Sequence, residues 1–326
     1  MSAPVFSLAP MAGFSDSVFR RICGELGADF AVSEMISAVA LAHRDKKTAR
    51  LAKIEAGEPP VVLQIFGHDP GVMAEAAELL LSGDYPGCGY AAPPVGIDLN
   101  MGCPMKKIVN NGDGCALMNA PALAARIIEA VKPVCVRHGV PLCVKFRAGW
   151  DRVTAPDFAR TAAEAGADKI TLHCRTREQM YAPCADPSVA EAVANALQKL
   201  GPGVPLPKLF GNGDVDSPAA ARRYFDAGCV GAAVGRAALG NPWLFSELKN
   251  GERFSPPARE EIVSMILRIV RESAAAYGEV VGVRESRGRA ACLLRGLRGS
   301  AALRDRLNRA ATVAQFESIL AEWLEI

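Results

Sequence analysis

Short apolar runs rich in β-branched residues recur along the first three quarters of the chain, each followed by a stretch with helical spacing. They end at Leu8, Val32, Phe66, Leu99, Phe146, His173, Phe210 and Val234. Parallel strands buried on both faces read this way. Eight strand–helix units over roughly 240 residues match the length and rhythm of a (β/α)8 TIM barrel, an α/β fold. A doubly wound open sheet is the competing architecture. The lack of a Gly-x-Gly-x-x-Gly turn after the first run counts against it.

Local signals support the alternation. Ser15 reads as the N-cap of a helix over Asp16–Leu26 that Gly27 closes. Asp69 before Pro70 and Ser217 before Pro218 mark two further helix starts. After Gly251-Glu252-Arg253-Phe254-Ser255-Pro256-Pro257 the strands stop. Ala258–Tyr277, Glu285–Leu297, Ser300–Asn308 and Val313–Trp323 have helical spacing instead. We therefore expect a barrel over 1–250 and a small all-helical C-terminal domain over 251–326.

In a barrel of this kind the active site lies at the C-terminal ends of the strands. The residues there form a ring. It contains Pro10, Met11 and Ala12; Glu34; Gln64; Asn100 and Cys103; Lys145 and Arg147; His173 and Arg175; Asn212, Gly213 and Asp214; Gly235 and Arg236. Cys103 sits in the turn Asp98-Leu99-Asn100-Met101-Gly102-Cys103-Pro104, where Gly and Pro fix the backbone above a strand end. Its thiol can be a nucleophile, a metal ligand, a general acid or inert core. A nucleophile needs the thiolate and a general acid needs the thiol. Lys106 and Lys107 would favour the thiolate, so we expect their ammonium groups to point elsewhere.

The ends of the last two runs, Gly211-Asn212-Gly213-Asp214 and Gly235-Arg236, lie where such barrels commonly bind phosphate. Glycines let backbone N–H groups approach an anion, and the helix after Ser217 adds a favourable dipole. Lys145 ends an apolar run and calls for an anionic partner. A Schiff base and the balancing of a reduced flavin both remain open for it.

Composition removes other classes. The 326 residues carry a net charge of +2, and no apolar run approaches the length of a membrane span. No signal peptide is read at the N-terminus, so a cytoplasmic protein is expected. Ten cysteines without a Cys-x-x-Cys pair, and only four histidines, argue against a disulfide framework and a metal site. Arg284, Arg287, Arg289, Arg295, Arg298, Arg304, Arg306 and Arg309 make the helical end strongly basic, and guanidinium groups suit phosphate oxygens.

Taken together, these pieces resemble the flavin-dependent tRNA-dihydrouridine synthases. The matching residues are Leu-Ala-Pro-Met-Ala-Gly at 8–13, Ser-Glu-Met at 33–35, Gln64, Asp-Leu-Asn-Met-Gly-Cys-Pro at 98–104 and Lys-Lys at 106–107. Lys145, His173 with Arg175-Thr176-Arg177, Asn-Gly-Asp at 212–214 and Gly-Arg at 235–236 complete the set. The resemblance implies FMN in the barrel, reduced by NADPH, acting on a uridine of tRNA. Pro10, Met11 and Ala12 would wrap the flavin ring with backbone, and Gln64, Lys145 and His173 would contact it. Asn212, Gly213, Asp214, Gly235 and Arg236 would hold ribityl and phosphate. Asn100 and Arg175 would recognise the base. Hydride from flavin N5 would reach C6 of the uracil, and the Cys103 thiol would protonate C5. No protein partner is implied. Ribosomal RNA and a small free pyrimidine are the alternative substrates. Three departures stand out: Cys174 in place of the usual Gly, Cys292-Leu293 in place of an aromatic pair, and the long 82–94 loop.

Overall fold

The expected strands form and close on themselves. The structure, a computed structural model, describes residues 3–251 and 255–325. The strands are β1 (Val5–Leu8), β2 (Phe30–Val32), β3 (Ile36–Ser37), β4 (Val61–Phe66), β5 (Gly96–Met101), β6 (Leu142–Gly149), β7 (Lys169–Thr176), β8 (Lys208–Asn212) and β9 (Gly231–Val234). All pairings are parallel. β1 pairs with both β2 and β9, and β2 also pairs with β4, so the sheet has no open edge. β2 and β3 share one barrel position. Val32 faces Val62 and Ile36 faces Ile65, so Ser33–Met35 hold one residue more than β4 does. That irregularity sets off a second short strand, Ile36–Ser37, beyond the expected one that ends at Val32.

Alternation sorts the side chains. Phe6, Leu8, Ile97, Leu99, Val144, Phe146, Ile170, Leu172 and Val234 point outward into one large core against the helices. The inward faces are not uniformly apolar, as continuous buried strands would suggest. Phe30, Val32, Val62 and Cys143 make a small apolar floor. Lys169 extends its Nζ over the Phe30 and Phe210 rings, 4.1 and 5.0 Å from their centroids. Above the floor the interior is polar: Gln64, Asp98, Asn100, Lys145, Thr171, His173 and Asn212.

The helix Ser17–Glu25 starts at Asp16, whose carboxylate accepts from Phe19 N–H at 3.0 Å. Ser15, the expected cap, instead turns its Oγ back to accept from Met11 N–H at 2.9 Å. The C-terminal helices Arg259–Tyr277, Glu279–Leu293, Ser300–Arg309 and Val313–Leu324 enclose a second core. Val18 and Ile22, from the helix Ser17–Glu25, belong to that second core. The expected boundary at 250/251 adjoins Glu252, Arg253 and Phe254, which lie outside the described residues. The two cores are joined by Arg268–Glu25 at 2.6 Å, Arg50–Glu285 at 2.9 Å and Arg289–Asp16 at 2.7 Å. Among the described residues no helix is long and apolar enough to cross a membrane.

Candidate active site

The ring read from the sequence assembles at one mouth of the barrel. At its centre the Cys103 turn is held on every side. Gly102 passes so close to β6 that a Cβ would lie 3.2 Å from Phe146 Cα. Asn100 Oδ1 accepts from the N–H groups of Gly102 and Cys103, at 3.2 and 3.0 Å. Arg147 Nε donates to Gly102 O at 2.9 Å, and its Nη1 donates to Thr176 O and Met180 O. Cys115 N–H closes on Cys103 O at 3.0 Å. The thiol itself remains partly exposed.

Burial pushes the Cys103 thiol above its usual range, against the Met105 N–H and the charges of Arg147 and Lys145. The thiol form therefore prevails at neutral pH, which suits a proton donor and not a nucleophile. Lys106 and Lys107 are exposed and are not among the charges that act on it. Arg147, which sequence reasoning left as an unassigned ring member, is.

Lys145 is level with Asn100 on β5 and Thr171 on β7. Desolvation and the neighbouring Arg147 bring its ammonium down to about 8, against the pull of Asp98. It makes no hydrogen bond or ion pair among the described residues. His173 is buried; desolvation and the cations Lys145, Arg147, Arg175 and Arg236 keep its ring well below the usual range, hence neutral. Arg175 Nη1 lies 3.4 Å from His173 Nε2.

At the ends of β8 and β9, Gly213 has φ +118°, and a Cβ there would lie 2.7 Å from Ala185 Cβ and 3.0 Å from His173 Cδ2. The backbone N–H groups of Asp214, Gly235 and Arg236 meet no protein acceptor among the described residues, while Gly213 directly follows Asn212, which is level with Ala233 in the β8–β9 ladder. Arg236 is exposed above them and stacks on Tyr181 at 4.4 Å. Asp214 accepts from Arg175 Nη2, from Arg236 Nη2 at 3.2 Å and from Ala185 N–H at 2.9 Å. Partial burial raises its carboxyl, but those bonds and the two guanidinium charges hold it below the usual range. Three free donors, one cation and a backbone that glycine alone follows at Gly213 could hold a phosphate. Asn212 is turned inward, its Nδ2 donating to Ala233 O at 2.8 Å.

Pro10, Met11 and Ala12 line the end of β1 beside Gly235, whose Cβ would come 3.9 Å from Met11 Sδ. Gly13 N–H donates to the half-buried Glu34 carboxylate at 2.7 Å. Three ring residues direct their polar groups into the protein. Gln64 is sealed from solvent. The Asn100 amide is spent on Gly102, Cys103, Gln64 and Met35. Arg175 is 2% exposed and holds Pro183 O and Asp214. Tyr181 gave no signal in the sequence, because only the fold brings its loop beside Arg147 and Arg236. Of the three departures, Cys174 faces the helix layer, Leu293 lies in the second core, and the 82–94 loop tucks Tyr85 and Cys88 inside.

Among the described residues no cluster of side chains could hold a metal ion. The model of the dihydrouridine synthase (Dus) family matches residues 7–325. The chain belongs to the dihydrouridine synthase family. It is 37% identical over 311 residues to tRNA-dihydrouridine synthase B of Pseudomonas aeruginosa, covering 93% of this chain and 87% of that one. It is 38% identical over 320 residues to the Xanthomonas campestris tRNA-dihydrouridine synthase B, covering 95% and 90%. A probable tRNA-dihydrouridine synthase of Treponema pallidum is 33% identical over 322 residues, covering 96% and 91%. Among solved structures, a variant of NCR from Zymomonas mobilis shares the barrel at a TM-score of 0.51 and 13% identity, covering 78% of this chain and 89% of that one. That likeness concerns the fold alone.

Proposed function

We propose that this dihydrouridine synthase reduces uridines of tRNA to 5,6-dihydrouridine with FMN as its bound cofactor and NADPH as reductant, in the cytoplasm. The observation that carries the reading is the Cys103 thiol, kept protonated and partly exposed at the barrel mouth beside a lysine that makes no hydrogen bond or ion pair among the described residues. The names of the relatives supply the substrate class. The cradle at Gly213, Asp214, Gly235 and Arg236 fits the phosphate of FMN, with Asn212 and Asp214 toward the ribityl chain. Pro10, Met11 and Ala12 would lie along the ring system.

When bound, FMN supplies hydride for C6 of the uracil ring. Cys103 delivers the proton to C5, and its turn, fastened by Asn100, Arg147 and Cys115, holds the sulfur still while it does so. Lys145 offsets negative charge from within the barrel, where low dielectric strengthens its effect. His173, neutral, presents a hydrogen bond to the cofactor without adding charge. Gln64 supports this layer from beneath. Asn100, expected on the base, serves by holding the Cys103 turn. Arg175, expected on the base, serves by fixing Asp214 and His173.

Residues 1–250 would bind FMN and catalyse, and residues 251–326 would bind RNA. The exposed Arg284, Arg295 and Arg298 carry no partner among the described residues and are free to meet phosphates, whereas Arg306 pairs with Glu322 and Arg309 with Asp305. Arg289 and Arg287 are not, because one is buried against Asp16 and the other donates to Ala310 O.

The test is the full-length Cys103→Ala protein with unmodified tRNA. We expect it to retain FMN and to lose on the order of 10²–10⁴ of its single-turnover rate, the usual share of a general acid. Undiminished turnover would overturn the role of the thiol. A wild-type protein that forms no dihydrouridine in tRNA would overturn the whole reading.

A further inference from the structure

Beneath the Cys103 turn lies an acid that the proposed chemistry does not use. Asp98 is 1% exposed and sits inside the barrel. Burying a carboxylate is costly unless it is paired or hydrogen-bonded. No ion pair joins it among the described residues. Its partner is an amide: Gln64 Nε2 donates to Asp98 Oδ2 at 2.6 Å. Gln64 Oε1 then accepts from Asn100 Nδ2 at 2.8 Å. Asn100 Oδ1 in turn takes the two N–H groups of Gly102 and Cys103.

We propose that Asp98 is a positioning residue, whose carboxylate sets the direction of a two-amide relay that ends on the backbone of Cys103. The reasoning is one of donor and acceptor sense. A carboxylate can only accept, so Gln64 must show it the NH2 group. That leaves the Gln64 carbonyl toward Asn100, which must answer with its own NH2. Asn100 is then left with its carbonyl facing the turn, where two N–H donors wait. Both ends of the relay demand the same sense. Reversing Asn100 sets NH2 against backbone N–H, and reversing Gln64 sets carbonyl against carboxylate and NH2 against NH2, so either leaves buried bonds unmade. Burial pushes the Asp98 carboxyl above its usual range, against the charge of Lys169, the bond from Gln64 and the charge of Lys145.

The catalytic consequence rests on the proposed role of Cys103, but the relay can be read without it. The experiment is alkylation of the full-length protein by iodoacetamide, followed peptide by peptide, so that the exposed Cys184 serves as an internal standard. Asp98→Leu removes the acceptor. We expect the Cys103 rate, relative to Cys184, to rise about tenfold, the equivalent of one buried hydrogen bond. Asp98→Asn keeps a carbonyl for Gln64, and the two N–H groups at the far end keep the sense, so its rate should stay within about twofold of wild type. Should Asp98→Leu not fold, Gln64→Met cuts the relay one link higher and carries the same tenfold expectation. A folded Asp98→Leu, or in its absence Gln64→Met, that alkylates as wild type does would overturn the proposal. So would an Asp98→Asn protein disturbed as much as Asp98→Leu. Because the assay needs no tRNA, NADPH or turnover, its failure is distinct from a failure to form dihydrouridine.

Discussion

Lys145 shows how a single side chain sets working conditions for the whole site. Its ammonium ionises near 8 because burial and Arg147 outweigh Asp98. A lysine is charged below its pKa and neutral above it. Reduction of tRNA should therefore fall as pH rises through about 8, while Cys103, shifted upward, still holds its proton. Single-turnover rates between pH 6.5 and 9.5 would show this limb, and Lys145→Met should be slow and flat across it. At this scale much was legible. A lysine ending an apolar run and a cysteine in a Gly and Pro turn both stand out by residue type. The direction of Arg175 did not, because its partner Asp214 is 39 residues away and only β7 lying beside β8 brings the two together. Asp98 did leave a signal, a charge inside an apolar strand, but its use depends on Gln64 from another strand.

Strands and helices were mostly legible in kind, and their ends were less so. β-Branched runs alternating with helices gave the parallel sheet, and eight such units without a Gly-x-Gly-x-x-Gly turn favoured the barrel over the open sheet. The bulge over Ser33–Met35 was hidden, because strand register is a relation between two segments. The helix expected over Glu285–Leu297 spans Glu279–Leu293. Gly282 reads as a breaker, yet its missing side chain is what lets this helix touch its neighbour: a Cβ there would lie 2.4 Å from Ser273 C. At the strand ends, glycine has a different task. Gly213→Ala would force a methyl into Ala185 and His173 at a backbone angle that alanine avoids. We expect a loss of about 1–3 kcal/mol in thermal or denaturant unfolding, together with weakened FMN affinity by fluorescence titration.

On the scale of the molecule, the basic C-terminal end divides into two kinds of arginine that look alike in sequence. Arg289 is 1% exposed and pairs with Asp16 across the junction of the two cores. Arg298 is exposed and carries no partner among the described residues. Arg289→Met should cost about 3 kcal/mol in urea unfolding, because it strands a partly buried carboxylate. Arg298→Gln should leave stability alone, weaken RNA binding and lower its salt slope by about one. The reverse pattern would reassign both. Such sorting is invisible before folding, since it depends on which face of the helix meets Asp16.

Val18 and Ile22 have a consequence for anyone who would divide or recombine this protein. They sit on the first helix of the barrel but are dry only because the C-terminal helices lie on them. A shortened chain ending near 250 would wet an oily ridge, at roughly 1.5–3 kcal/mol per side chain. It would tend to stick to itself even with its barrel intact. A foreign RNA-reading module grafted onto this barrel would have to bring its own mate for that ridge.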